Sequence, residues 1–215
     1  MTTIGVLGSG VVGTVLSNGF LKHGFAVCRG SRSPDKLEAW QDAAGPHGAI
    51  GTFAEAAAAG DIVALAVKGS AAKQALGVVA PDDLAGKVVI DTCNPISAAP
   101  PENGVLRYDT SLDRSLMEDL QEAYPDARFV KAFSCVGSAY MVDPVLPGGP
   151  PTMFICGNDA DARSTVAAIL EAFGWDVADM GTAEAARAIE PLAMLWCIPG
   201  FLHSSWSHAF KLLRA

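Results

Sequence analysis

Cations are scarce in this chain. Lysine and arginine total 15 against 23 acidic residues, for a formal net charge of −8 and an isoelectric point near 4.9. That balance argues against a general nucleic-acid or anionic-membrane surface and assigns any local basic cluster to one anionic ligand. Aromatic residues make up only 7%, so the core is aliphatic and alanine-rich. No CxxC pair occurs, and the five cysteines (Cys28, Cys93, Cys135, Cys156, Cys197) are scattered through apolar runs, which reads as buried reduced thiols. His203 and His208 stand five apart, a spacing that separates them on a helix, so no metal site is expected. No apolar run approaches the ~18–20 residues of a membrane span. The best candidate, 191–202, is broken by Pro199-Gly200. Nor does the N-terminus resemble a secretory leader, so a soluble cytoplasmic protein is expected, with no nucleic-acid or membrane partner. Catalytic constellations are missing too: there is no Ser/His/Asp set and no carboxylate pair, and no catalytic side chain is assigned.

What is there is alternation. Half of the 215 residues are hydrophobic, enough for one large domain. Apolar segments near 3–8, 25–30, 48–52, 61–67, 87–92, 128–133, 152–157 and 175–180 read as strands, and helical spacing fills most gaps between them. The run 61-DIVALAV-67 is continuously apolar, as a strand buried on both faces should be. The pattern predicts a Rossmann-like, doubly wound α/β fold: a mostly parallel sheet of about eight strands, the last two extending its edge. Residues 1–182 would form the nucleotide-binding domain. Residues 183–215 would form a helical segment to the chain's end, completing a substrate pocket and offering a dimer interface through Trp196, Phe201, Leu202 and Trp206.

Gly8-Ser9-Gly10-Val11-Val12-Gly13 matches G-x-G-x-x-G between the first strand and first helix. Gly8 would permit the strand-to-helix turn, Gly10 the approach of a pyrophosphate, and Gly13 the packing of helix on strand. The helix N-terminus then presents free N–H groups and a positive dipole end. An NAD site commonly has an acid about 20 residues beyond such a loop. Here that place is Gly30, followed by Ser31, Arg32 and then Lys36. Absence of the acid, with a guanidinium, a hydroxyl and an ammonium nearby, suits a terminal 2′-phosphate and points to NADP(H).

These residues give the chain its resemblance to the coenzyme F420-dependent NADP oxidoreductase family. Gly30-Ser31-Arg32, with Lys36 after three intervening residues, resembles the family's G-S-R segment and its following Lys, and the resemblance places 2′-phosphate contacts on Ser9, Ser31, Arg32 and Lys36. It implies hydride transfer between NADP(H) and a deazaflavin such as coenzyme F420. Ala66, Val67 and Lys68 would run under the nicotinamide half, with Asn94 and Ala132 facing the cofactor. Pro95, Phe133, Ser134, Val136 and Arg187 would meet the second substrate. Two departures stand out: Ser134 replaces the family's Asn, and 187-RAIEPLAMLWCIPGF-201 keeps an Arg and a Glu but otherwise differs. Other acceptors (free flavin, quinone, ferric chelate), or a nucleotide sensor without turnover, are the competing readings. Glu190, Trp196 and Trp206 read as packing or capping residues, and His203 and His208 as parts of the last helix.

Overall fold

Short, mostly apolar runs form the parallel strands of a computed structural model that describes residues 1–214. The order along the chain is β1 (Thr3–Leu7), α1 (Val11–Lys22), β2 (Ala26–Gly30), α2 (Glu38–Ala44), β3 (Gly48–Gly51), α3 (Phe53–Ala59), β4 (Ile62–Leu65), α4 (Gly69–Leu76), β5 (Val88–Asp91), α5 (Leu116–Ala123), β6 (Arg128–Lys131), β7 (Thr152–Ile155), α6 (Ala160–Ala172), β8 (Asp176–Asp179), α7 (Ala186–Ile189) and α8 (Leu192–His203). Six strands make one sheet in the order β3-β2-β1-β4-β5-β6, parallel throughout. Its two faces are served by alternate residues. Ile4, Val6, Ile62, Ala64 and Ile90 enter a core with Leu16, Phe20 and Phe173. Leu7, Val63, Leu65 and Val89 enter another with Leu76, Met117 and Leu120. A strand with apolar side chains on both pleats is stable only under helices on both sides.

The strand order reverses between β1 and β4, so the loops after these neighbours diverge and leave a crevice at the carboxyl edge. Ligands of doubly wound sheets bind at such a switch point.

Three expectations need correction. The last two strands do not extend the main sheet: β7 and β8 pair in parallel as a separate two-stranded sheet. It meets β6 through one isolated antiparallel bridge, the Lys131 N–H donating to the Cys156 carbonyl at 2.9 Å. The pairing stops there because Phe133 turns the chain out of extended geometry with φ of 60°. Second, the chain is not helical to its end. Ser204 takes a left-handed conformation (φ 55°) and closes α8. The tail then runs beside β7, where the Phe210 carbonyl accepts the Thr152 N–H at 2.8 Å. His208 therefore lies beyond the last helix. Its ring stacks on Trp196 at 4.9 Å, and the Trp196 indole N–H donates to the His208 carbonyl at 2.8 Å. Third, a run of membrane-spanning length does exist. Ala183–His203 is helical over 21 residues and contains an 18-residue window of mean hydropathy 1.2, because the turn and helices joined there are continuous where the sequence is punctuated by Glu184, Arg187 and Glu190. A third of that window is buried within the protein.

Buried charge ties this C-terminal run to the sheet. Lys131, wholly buried, places its ammonium 2.6 Å from Asp91 and 2.8 Å from Glu190. Glu190 also accepts the backbone N–H groups of Leu116 and Met117, both at 3.0 Å, and so caps α5 from the turn between α7 and α8. Burial alone would lower the Lys131 pKa; the two carboxylates outweigh it and hold the ammonium above its usual range.

Candidate cofactor site

The crevice between β1 and β4 opens into a cavity of about 320 Å³ whose lining includes Ser9, Gly10, Arg32, Ala66, Val67 and Lys68. Each loop glycine meets a different constraint. A Cβ on Gly8 would lie 2.2 Å from the Ala66 carbonyl oxygen, and one on Gly13 would lie 2.3 Å from the Gly8 carbonyl oxygen. Both would force β4 or α1 away. A Cβ on Gly10 would meet nothing within 4 Å, so it would enter only the space above the helix end. Gly10 caps α1 without a side-chain hydrogen bond, and the first turn holds no acid. The N–H groups there and the positive helix end are thus left for an anion. Val11 is 68% exposed at this end, and Val12 is half-buried.

The loop after β2 carries the selective cations. Gly30 is closed in by Ala56, Thr52 and Phe53, the nearest atom lying 2.9 Å from where a Cβ would stand. The acid common in NAD sites would not fit without moving α3. Ser31 is buried, and its hydroxyl accepts the Ser33 N–H at 3.1 Å. Arg32 is exposed on the cavity wall, while Lys36 is exposed in the single 3-10 turn Pro34–Leu37. Among the described residues neither cation has a carboxylate partner within 4 Å.

A second group forms where β5 and β6 end. The Asn94 amide donates to the Ser134 carbonyl at 2.9 Å. Asn94 Oδ1 and Ser134 Oγ are buried without a hydrogen-bond partner among the described residues. Orphaned polar atoms of this kind are uncommon, and backbone held at positive φ (Phe133, between Ala132 and Ser134) is costly for a non-glycine residue. The two features coincide at the strand ends and make this a candidate place for a polar ligand. Pro95 is buried beside it; a Cβ on Gly69 would lie 3.0 Å from Pro95 Cα.

Other residues picked from the sequence sit elsewhere. Phe133 and Val136 belong to the core, with the Phe133 ring 6.4 Å from Phe173. Arg187 pairs with Glu118, its Nε donating at 3.0 Å, and lines a different cleft with Tyr108 and Glu190. Arg187 holds the Glu118 carboxyl down to about 2. Sequence reasoning passed over Phe53, Gln74 and Val78 of the cavity wall, and it passed over Arg29. No sequence signal separates such wall positions from ordinary helix faces.

The sheet order, the switch point and the glycine loop define a dinucleotide-binding protein of the Rossmann type. Comparison with known proteins narrows this. The family model for coenzyme F420-dependent NADP oxidoreductases matches residues 3–95. A crystallised protein from Arthrobacter sp. FB24, described as a proposed F420-dependent NADP reductase, superposes over 100% of both chains with a TM-score of 0.91 and 30% identity. An imine reductase from Aspergillus terreus in complex with NADPH4 shares the fold at 17% identity and a TM-score of 0.68, over 95% of this chain and 63% of its own. Metalloreductase STEAP3 of Rattus norvegicus is 32% identical over 203 residues; that is 93% of this chain but only 38% of the longer relative. The chain belongs to the coenzyme F420-dependent NADP oxidoreductase family.

Proposed function

We propose that the protein is an NADP(H)-dependent oxidoreductase that exchanges hydride with a deazaflavin such as coenzyme F420. The observation that carries the NADP(H) part of this reading is the pairing, in one cavity, of an uncapped α1 N-terminus with Arg32 at a β2 end too crowded for an acid. The first suits a pyrophosphate and the second a 2′-phosphate. The deazaflavin part rests on the family match. Bound NADP(H) supplies the hydride chemistry itself. The protein's part is to bind, orient and exclude water. The backbone N–H groups of Ser9, Gly10, Val11 and Val12 hold the pyrophosphate, and the side chains of Ser9, Ser31, Arg32 and Lys36 hold the 2′-phosphate. Ala66, Val67 and Lys68 support the nicotinamide ribose. Asn94 Oδ1 and Ser134 Oγ offer one acceptor and one rotatable hydroxyl to a carboxamide or a ring carbonyl. The segment from Ala183 onward closes the acceptor side. Leu195, Phe201, Leu202 and Trp206, exposed in the monomer, form a homodimer contact, which light scattering in solution tests.

A second acceptor class is favoured by the likeness to a metalloreductase: a ferric chelate or flavin in place of the deazaflavin. An acceptor panel decides. Purified protein with NADPH is mixed in turn with F420, free flavin, a quinone and ferric citrate. Bleaching of the deazaflavin's visible absorbance supports the first reading, and turnover with another acceptor alone replaces it. Tight NADPH binding with no turnover on any acceptor means a nucleotide-sensing protein.

A further inference from the structure

Arg29, the next-to-last residue of β2, is 2% exposed. Among the described residues no carboxylate lies within 4 Å of it. Its guanidinium instead donates to the carbonyl oxygens of Gly8 and Gly10, each at 3.2 Å, and to Thr14 Oγ1 at 2.6 Å. The Trp40 ring lies 5.4 Å away, held by its own N–H on Asn18 at 2.8 Å. Thr14 Oγ1 in turn donates to the Gly10 carbonyl at 3.1 Å. A buried cation lacking a counter-charge is costly, and burial pushes the Arg29 pKa down.

The two carbonyls it grips belong to the peptide groups 8–9 and 10–11. No peptide bond is cis, so in each group the N–H points opposite to the C=O. Those N–H groups belong to Ser9 and Val11, and among the described residues neither has an acceptor.

We propose that Arg29 is a positioning residue for anion binding: from beneath the glycine loop it turns and polarises two peptide groups so that the Ser9 and Val11 N–H donors face the pyrophosphate. It does not touch the 2′-phosphate. The ligand's diphosphate supplies, through these two dipoles, the negative charge that Arg29 lacks. The inference rests on the cofactor reading above and adds a division of labour: Arg32 discriminates between NADP and NAD, while Arg29 strengthens both.

Calorimetry with NADPH, NADH and 2′-AMP tests this on the whole protein. The last ligand carries the 2′-phosphate but no diphosphate. Arg29→Met is expected to weaken NADPH and NADH equally, by about tenfold, the size of one charge-assisted contact. Binding of 2′-AMP stays at the wild-type value, and Arg29→Lys recovers part of the loss. Unchanged affinity for both dinucleotides overturns the proposal. So does a loss confined to NADPH and 2′-AMP, which makes Arg29 a 2′-phosphate ligand, and so does an equal loss of all three ligands, which is general loosening. If Arg29→Met does not fold, Thr14→Val removes the 2.6 Å bond, together with the Thr14 hydroxyl's own bond to the Gly10 carbonyl, and leaves the Arg29 guanidinium in place. It should give the same pattern at smaller size, and wild-type affinities in that variant overturn the proposal. Wild-type protein that binds neither dinucleotide removes the cofactor reading as well, a result distinct from unaltered binding in the variants.

Discussion

Two arginines three positions apart show how much a residue's role depends on where the strand ends. Arg29 lies within β2 and is drawn under the glycine loop; Arg32 lies past the strand and stands on the cavity wall. Replacing Arg32 by Ala should cost NADPH about tenfold or more in affinity and leave NADH unchanged, since a charge-assisted contact to phosphate is worth ~1.5–3 kcal/mol. Parallel calorimetric titrations check this. The glycines are as specific. Gly13→Ala places a methyl group 2.3 Å from the Gly8 carbonyl oxygen, and relieving that overlap should destabilise the protein by ~1–3 kcal/mol in urea unfolding. The roles of Gly8, Gly10 and Gly13 were legible in the sequence because the motif sets each one's distance from the strand end. The placement of Arg29 was not: a charged residue inside an apolar strand gives no sign of which pleat it faces or what lies there.

Between elements, the Lys131, Asp91 and Glu190 cluster joins β5, β6, α5 and the C-terminal helices. Lys131→Met leaves two buried carboxylates without their cation and should destabilise by ~3–5 kcal/mol, read as a lower urea midpoint. The Arg187–Glu118 pair joins α7 to α5 nearer the surface. Because Arg187 holds the folded-state Glu118 pKa down to about 2 from 4.5, its stabilisation is present above the unfolded value. It is lost as pH falls from about 4.5 towards 2. Glu118→Gln should therefore lower stability at neutral pH and flatten that part of the acid-unfolding profile, leaving the shape of the neutral-to-alkaline side unaltered. None of these pairs could be read from the sequence. Their members are 40 to 74 residues apart, and only the fold brings them together.

For the whole molecule, helix and strand positions could be read from apolar runs and turn residues, and so could the doubly wound class. The split into six strands and two could not, because a run of apolar residues does not say which edge it pairs with, and the break depends on one backbone angle at Phe133. The C-terminal tail shows the same limit: its apolar residues read as helix, while the chain leaves helical geometry at Ser204 and docks on β7. The cysteines conform to a reduced interior. All five are free, and only Cys197 is more than slightly exposed. Burial pushes Cys135 up to about 11 and Cys156 up to about 12. A thiol reagent at neutral pH should therefore label one cysteine rapidly in the native protein and five after denaturation. Rapid labelling of several would mean a looser core.

The identity of the bound cofactor underlies all of these roles, and a calorimetric comparison of NADPH with NADH on the unmodified protein tests it. NADPH should bind at least about tenfold more tightly, with the preference removed in Arg32→Ala. Equal affinities for the two cofactors would contradict the assignment of the β2 end to a 2′-phosphate.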